Sequence, residues 1–232
     1  MQATAQATQN HFHRAPRSRV LAKPHGMSYS ASTSQGAATG LSIRVLETVA
    51  ERSVIADLRK YAPIEAERDL DAGVVALEEF KDGIGLVMAI SKRQEVIATI
   101  RLIPYGLGVT LAEKTWCDVT RMKAGFGVNS WEVGRLIVAP EHRSEELLRQ
   151  CLSLALRELV SRASNAEHLH ASCSPLMARL YRRIGFHTEK IIQGDNGLQH
   201  ALVHADVRDV AQALGISLPA LAEPVLPALR VA

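Results

Sequence analysis

Glu132 and Arg135, in the segment Trp131-Glu-Val-Gly-Arg-Leu-Ile-Val-Ala-Pro140, are the residues best placed to do chemistry. The run from Ser130 to Val138 reads as a buried strand that a proline ends and a helical stretch follows. Either charge, left unpaired in such a strand, costs several kcal/mol or neutralises. A buried carboxyl exchanges protons near neutral pH, and a guanidinium grips a carboxylate with two parallel hydrogen bonds. Period-two geometry sets Glu132 on one face with Gly134, and Arg135 on the other with Trp131 and Val133. The two therefore serve different surroundings unless the strand is bulged or splayed near Gly134. Their need for partners, together with the glycine, marks this strand as a site.

Other side chains carry weaker chemical signals. His168 and His170 alternate on one strand face, a spacing that suits a metal, but no third ligand accompanies them and no metal is expected. His11 and His13 read as solvated. Cys117, Cys151 and Cys173 are odd in number, far apart and without CxxC spacing, so they read as buried thiols in a reducing, cytoplasmic setting. Arg179, Arg182 and Arg183 form a basic helix face, which is either solvated or a docking patch.

The elements that must position these residues alternate from Leu41 onward. Leu41 to Leu46 reads as a strand, Glu47 to Tyr61 as helix, and Ile64 to Asp71 as a weaker helical stretch after Pro63. Gly83 to Ile90 and Glu95 to Ile103 form a hairpin around the turn at 91–94. An irregular region from Val109 to Asn129, with short helical possibilities, has a length that is often functional. The strand at 130–138 leads to a helix over 142–162, with Leu148, Cys151, Leu152, Ala155 and Leu159 on one face and Ser144 as N-cap. Then come a strand (Glu167 to Cys173), a helix (Ser174 to Ile184) stopped by Gly185, a hairpin (His187 to Ile192 and Leu198 to His204) and a helix (Asp206 to Leu214). This order implies a mixed α/β sheet with parallel and antiparallel pairs.

Composition bounds the rest. Of 232 residues, 47% are apolar and 4% aromatic, so Val, Ile, Leu and Ala must build the core. Residues 1–40 hold Arg14, Arg17, Arg19 and Lys23 and no acid, which leaves 23 basic against 24 acidic residues in the body. A basic nucleic-acid-binding domain is therefore not expected. No apolar run approaches the ~18 residues of a membrane span. Residues 1–40 lack apolar periodicity and read as a disordered tail. Their composition is similar to a transit peptide without its amphipathic stripe, and Met27 offers another start. Residues 41–214 read as the domain, and 215–232 as a Pro-rich apolar tail that covers an apolar pocket or a dimer surface.

The order of elements resembles the GNAT N-acyltransferase fold, and Leu180-Tyr-Arg-Arg-Ile-Gly-Phe186 is similar to that family's penultimate helix-to-strand motif. Thr99-Ile-Arg-Leu-Ile-Pro104 resembles the Arg-Leu-Leu-Pro strand of acyl-homoserine-lactone (autoinducer) synthases. Glu132-Val-Gly-Arg135 resembles their Glu-x-Ser-Arg strand, which N-acyl amino acid synthases share in related form. The resemblance, from about Leu41 to His204, implies a three-layer α/β/α fold. Its mixed, twisted sheet would have about seven strands and a splay at the central one. It also implies Glu132 as the base that takes the ammonium proton, with Tyr181 protonating the departing thiolate. A backbone N–H near Leu136 or Ile137 would stabilise the oxyanion, and Arg101 and Arg135 would place the substrate. Bland counterparts stand beside these roles: a Glu132–Arg101 or Glu132–Arg135 ion pair joining strands, and Tyr181 as core packing. Asp82 falls near an acidic position of the synthases.

Two departures from the pattern narrow the donor. The turn that in acetyl-CoA enzymes offers glycine amides to a pyrophosphate is Arg143-Ser-Glu-Glu-Leu-Leu148 here, with no glycine and two carboxylates. Phosphopantetheine on an acyl carrier protein asks less of this turn than CoA does. The motif's serine is Gly134, which removes a hydroxyl from the lactone-type pattern. The reading is an enzyme that moves a fatty acyl group from acyl carrier protein to the α-amine of an amino acid or derivative. It would bind no permanent cofactor, dock its carrier through Arg143, Arg179, Arg182 and Arg183, and act as a monomer or homodimer. Acyl-CoA is the other donor the resemblance allows. The alternatives are a CoA-dependent GNAT acetyltransferase and a non-catalytic GNAT-like module that binds lipid or a partner.

Overall fold

A computed structural model describes residues 34–36, 40–120, 125–127 and 129–218. The expectations for His11, His13, Met27 and residues 219–232 lie outside the described residues. The elements run β1 (Ser34–Gly36), β2 (Leu41–Val45), α1 (Val49–Arg52), α2 (Ala56–Arg59), α3 (Glu78–Ile84), β3 (Leu86–Lys92) and β4 (Glu95–Pro104). After them come α4 (Leu111–Lys114), α5 (Cys117–Thr120), β5 (Ser130–Val138), α6 (Glu145–Arg162), β6 (His168–Cys173), α7 (Pro175–Arg182), β7 (His187–Gln193), β8 (Gln199–Asp206) and α8 (Val207–Ala213). A six-residue 3-10 segment, Ile64–Asp69, stands where the weaker helical stretch was expected.

The strands form one open sheet in the order β1-β2-β3-β4-β5-β6-β8-β7, eight strands with the three-residue β1 as an added edge. That edge strand falls within the segment whose composition reads as a tail. Every neighbouring pair is antiparallel except β5 and β6. The parallel ladder between those two covers Ser130–Glu132 against His168–His170 and then stops. The sheet is splayed beyond that point, and the β5 edge facing β6 is left without a strand partner.

One face of the sheet carries the main core. Ile100 and Leu102 of β4, Val133 of β5, Leu169 and Ala171 of β6, and Ala201 and Val203 of β8 pack against Cys151, Leu152, Ala155 and Leu159 of α6, Tyr181 of α7 and Val210 of α8. The heptad-like spacing along α6 matches the apolar stripe its sequence shows. Ser144 Oγ accepts the Leu147 N–H at 3.1 Å and sets the start of α6. That start is three residues later than the expected one, because Pro140–His142 forms a 3-10 turn instead. No helix of the described residues is long and apolar enough to cross a membrane.

The other face is covered by α1 to α5 and differs in kind. A small apolar cluster that includes Leu46, Ile55, Leu58, Val87 and Ala89 holds α2 and the 3-10 turn before it. Beside it α3 turns Lys81 and Asp82 into the protein. The expectation of a strand from Gly83 is corrected here: Gly83 and Ile84 end α3, and β3 begins at Leu86. The reason is that the buried face of α3 is charged, so hydrophobic periodicity carries no trace of the helix. Gly85 lets the chain turn into β3 at close quarters, since a Cβ there would meet the Leu102 carbonyl oxygen at 2.7 Å.

Candidate active site

A β-bulge in β5 builds the site. Thr99 pairs with Ile137 but Arg101 pairs with Gly134, so β5 carries one residue more than β4 across this interval. Arg135 takes up the extra residue with φ at 49°, in the left-handed region. The bulge changes the alternation of the strand. Trp131, Val133, Leu136 and Val138 all pack toward the α6 core, while Glu132 and Arg135 both turn to the α3 side. Regular period-two geometry would have separated the two charges.

The arginines on this side are held by α3. Arg101 Nη1 donates to Glu78 Oε2 and to Asp82 Oδ1, each at 2.8 Å. Arg59 grips Asp82 with Nη1 at 2.6 Å and Nη2 at 2.9 Å, in the bidentate geometry that makes such pairs strong. Arg135 places Nε 3.3 Å from Glu78 Oε1 and donates from Nη1 to the Ala62 carbonyl at 2.6 Å. Burial alone would raise the Asp82 carboxyl, but the hydrogen bonds and charges of Arg59 and Arg101 outweigh it and hold the group below its ordinary value. Burial would likewise lower Arg101, and the Glu78 and Asp82 carboxylates more than restore it. For Arg135 burial prevails over Glu78 and Glu67, and its pKa falls.

Glu132 is 5% exposed and takes no part in these pairs. The expected ion pair with Arg101 or Arg135 does not form: Arg101 turns to Glu78 and Asp82, and Arg135 to Glu78 and the Ala62 carbonyl. One oxygen of Glu132 accepts the Ala112 N–H at 3.3 Å. That amide is positioned by a capping box, in which Thr110 and Glu113 start α4. Glu113 also collects the N–H groups of Gly106 and Gly108, which fixes the loop after β4. Burial pushes the Glu132 carboxyl up to about 7, with Lys81 and the Ala112 N–H opposing and Glu67 reinforcing. The group therefore changes charge within the physiological range, as a general base must.

Glu132 faces His170 across the last residue pair of the β5–β6 ladder. His170 Nδ1 lies 2.8 Å from Ser130 Oγ, and burial with the nearby His204 pushes the ring down to about 3, so it stays neutral. Tyr105 meets His170 edge-on at 5.7 Å and Phe126 lies 5.3 Å away. His168 pairs with Asp206 at 2.7 Å instead of sharing a ligand with His170. Tyr181 lies on the opposite face, edge-to-face with Phe186 at 4.9 Å, and burial raises its hydroxyl pKa. On that face a small apolar cavity lies between the sheet and α6, lined among others by Leu102, Val133, Leu156, Leu169 and Phe186.

Residues 75–201 match the family described as N-acyl amino acid synthase FeeM. They run from just before α3 into β8, more than half of the chain. The chain belongs to this family. It is an acyltransferase, and its fold is that of the GNAT enzymes. No curated protein sequence matches the chain. Solved structures that share the fold include three of particular interest. The structure of FeeM, an N-acyl amino acid synthase from uncultured soil microbes, aligns over 77% of this chain and 96% of its own, with a TM-score of 0.60 and 13% identity. The acyl-homoserine-lactone synthase LasI covers 82% of this chain and 98% of its own, at a TM-score of 0.53 and 12% identity. A putative N-acetyltransferase from Lactobacillus plantarum covers 73% and 99%, at a TM-score of 0.52 and 18% identity.

Within this N-acyl amino acid synthase fold, Glu132, Arg101 and Arg135 come together, whereas Tyr181 is separated from them by the sheet. Leu136 and Ile137 lie at and after the bulge, on the splayed part of β5. Arg179 and Arg182 are exposed on α7. Arg183 pairs with Glu145 at 2.6 Å and Arg143 donates to the Val138 carbonyl at 3.1 Å, so these two flank the start of α6. Sequence reasoning missed Glu67, Glu78 and Lys81. A signal was there, since Glu78, Lys81 and Asp82 share one helical face at spacings of three and four, but a charged helix face ordinarily points to solvent.

Proposed function

We propose that this acyltransferase moves a fatty acyl group from the thioester of an acyl carrier protein to the α-amine of an amino acid. One observation carries the reading: Glu132, buried and half-ionised near pH 7, sits where β5 and β6 part. An ammonium entering from the α3 side gives a proton to the Glu132 carboxylate. The freed amine then attacks the thioester carbonyl carbon, which sits in the splay. The oxyanion forms beside the amides of Leu136 and Ile137, on a stretch of β5 that has no partner strand on that side. Collapse of the intermediate breaks the C–S bond; the thiolate takes a proton from Tyr181, and the nitrogen's second proton passes through water to the tyrosinate, leaving a neutral amide and a thiol. The β5–β6 opening joins the two faces, so Glu132 and Tyr181 serve the thioester from opposite sides. Arg101 and Arg135, tied to Glu78 and Asp82 of α3, form the charged wall beside Glu132 without contacting it.

The apolar cavity under α6 suits the acyl chain. Its lining is hydrophobic throughout, as an acyl chain requires, and the space would have to widen to admit one. The donor reading is supported by the start of α6. Its Ser144 hydroxyl caps its own helix, and Glu145 and Glu146 add negative charge where a pyrophosphate would approach. Exposed Arg143, Arg179 and Arg182 offer an acidic carrier protein a basic approach. The test is a transfer assay in which amino acids meet acylated carrier protein or acyl-CoA, read by mass spectrometry. Formation of N-acyl amino acid from the carrier protein, with CoA the poorer donor, is the expected result. Efficient transfer from CoA alone would overturn the choice of donor.

A further inference from the structure

Four cationic side chains belong to the buried layer between α3 and the sheet: Arg59, Arg101, Arg135 and Lys81. The first three are engaged by Glu78 and Asp82 at 3.5 Å or less. Lys81 is 1% exposed, and among the described residues no carboxylate lies within 4.0 Å of its ammonium. It lies within electrostatic reach of Glu67, Asp71 and Glu132. Asp71 is already taken by Lys114 at 2.6 Å. Glu67 has no ion pair among the described residues, and Glu132 has one long backbone hydrogen bond. An ammonium and two carboxyl groups thus lie within electrostatic reach of one another with no ion pair among the described residues, beside arginines that are all engaged by Glu78 and Asp82.

Leaving a buried ammonium unpaired is costly, and such groups are as a rule paired or bind something. The unmatched set is the complement of a zwitterion. An α-amino acid presents a carboxylate and an ammonium a few ångströms apart, and the arginines that would otherwise clamp its carboxylate are occupied. We infer that Lys81 anchors the α-carboxylate of the acceptor amino acid and that Glu67 and Glu132 receive its α-ammonium. This assignment rests on the acyl-transfer reading above and names its specificity residue. Lysine suits the role as a compact charge with three donors on a flexible stem. It also divides the labour between substrate and product. Acylation removes the ammonium charge that Glu67 and Glu132 recognise but leaves the carboxylate on Lys81. The enzyme therefore selects amino acids over simple amines through Lys81, and N-acyl amino acids remain ligands of the same site.

Binding of N-dodecanoyl amino acids and of their matched carboxamides, measured by calorimetry, tests this without turnover. The wild-type protein is expected to bind the acids more tightly by about thirtyfold or more, the effect of one buried charge-assisted contact. Lys81→Met should bring acid and carboxamide to within about threefold of each other, and Lys81→Arg should keep most of the preference. Lys81→Gln, which keeps a polar end of similar reach, repeats the test should the methionine variant fail to fold. A lysine that served only to balance Glu132 would leave the acid-to-carboxamide ratio unmoved. Equal binding of acid and carboxamide by the wild type, or an unchanged preference in Lys81→Met, overturns the assignment. The transfer assay separates the two readings. Transfer that is blind to the carboxylate sinks the Lys81 assignment alone, and selective binding with no transfer to any amine sinks the reaction alone.

Discussion

Glu132 owes its proton affinity to its place in the fold, because burial and the neighbouring Glu67 outweigh Lys81 and a single amide. Two expectations follow at the scale of this residue. Glu132→Gln should lower kcat by about 10²–10⁴-fold, the usual contribution of a general base, and kcat/KM of the wild type should rise with pH to a plateau through an inflection near 7. An unchanged pH–rate profile in the variant would remove Glu132 from the proton transfer. The second expectation concerns stability. The folded carboxyl holds its proton to about pH 7, while the unfolded one releases it near 4.5, so between these values the folded state binds more protons. Stability therefore falls as pH rises through that window and levels off above it, by an amount on the order of 3 kcal/mol from this group. Urea unfolding of wild type and Glu132→Gln at pH 4.5, 6 and 8 should show the difference between them changing in that direction. Arg101 belongs to the same scale. Arg101→Met removes one of the two arginines that Glu78 and Asp82 share and, with Arg59 still in place, should cost about 1.5–3 kcal/mol in chemical denaturation.

At the scale of elements, the bulge in β5 and the charged face of α3 make the site together. The strand's bounds are legible in sequence, because its apolar run and Pro140 define Ser130–Val138 on their own. The bulge was readable only as a condition, since the sequence showed that Glu132 and Arg135 needed it but not whether β4 would supply the offset. Helix α3 was not legible at all, for a helix that buries Lys81 and Asp82 and half-buries Glu78 lacks the apolar stripe that announces a helix. Gly134 tests how the bulge is built. Its φ lies outside the left-handed region, and no heavy atom of the described residues lies within 4 Å of a Cβ added there. Gly134→Ala should therefore fold with a gain of about 0.5–1 kcal/mol, since a glycine in a strand is conformationally costly. A loss of thermal stability in that variant would mean that the bulge needs glycine's freedom.

The whole molecule separates its tasks by layer. Charged groups gather on the α3 side, apolar side chains pack on the α6 side, and β5 and β6 part between them. Under the proposed function, the carrier protein approaches at the α6–α7 end. Reversing charge there, with Arg179→Glu and Arg182→Glu together, should raise KM for acylated carrier protein at least about tenfold and flatten its salt dependence. Transfer from a free acyl-pantetheine thioester should not change, and an equal loss with both donors would place the carrier elsewhere. The sequence by itself determined what is local: the β5 strand, the Ser144 cap, the hairpin turn at Arg93 and Gln94, and motifs at separations that identify a GNAT acyltransferase. Tertiary structure decided the pairing of charges. Arg101 reaches residues 19 and 23 positions away in preference to the strand neighbour that the motif suggests, Tyr181 falls on the far face, and Lys81 is left alone. The physical reason is that a side chain's alternation is a local property, whereas its desolvation and its partners depend on which distant segments the fold brings over it.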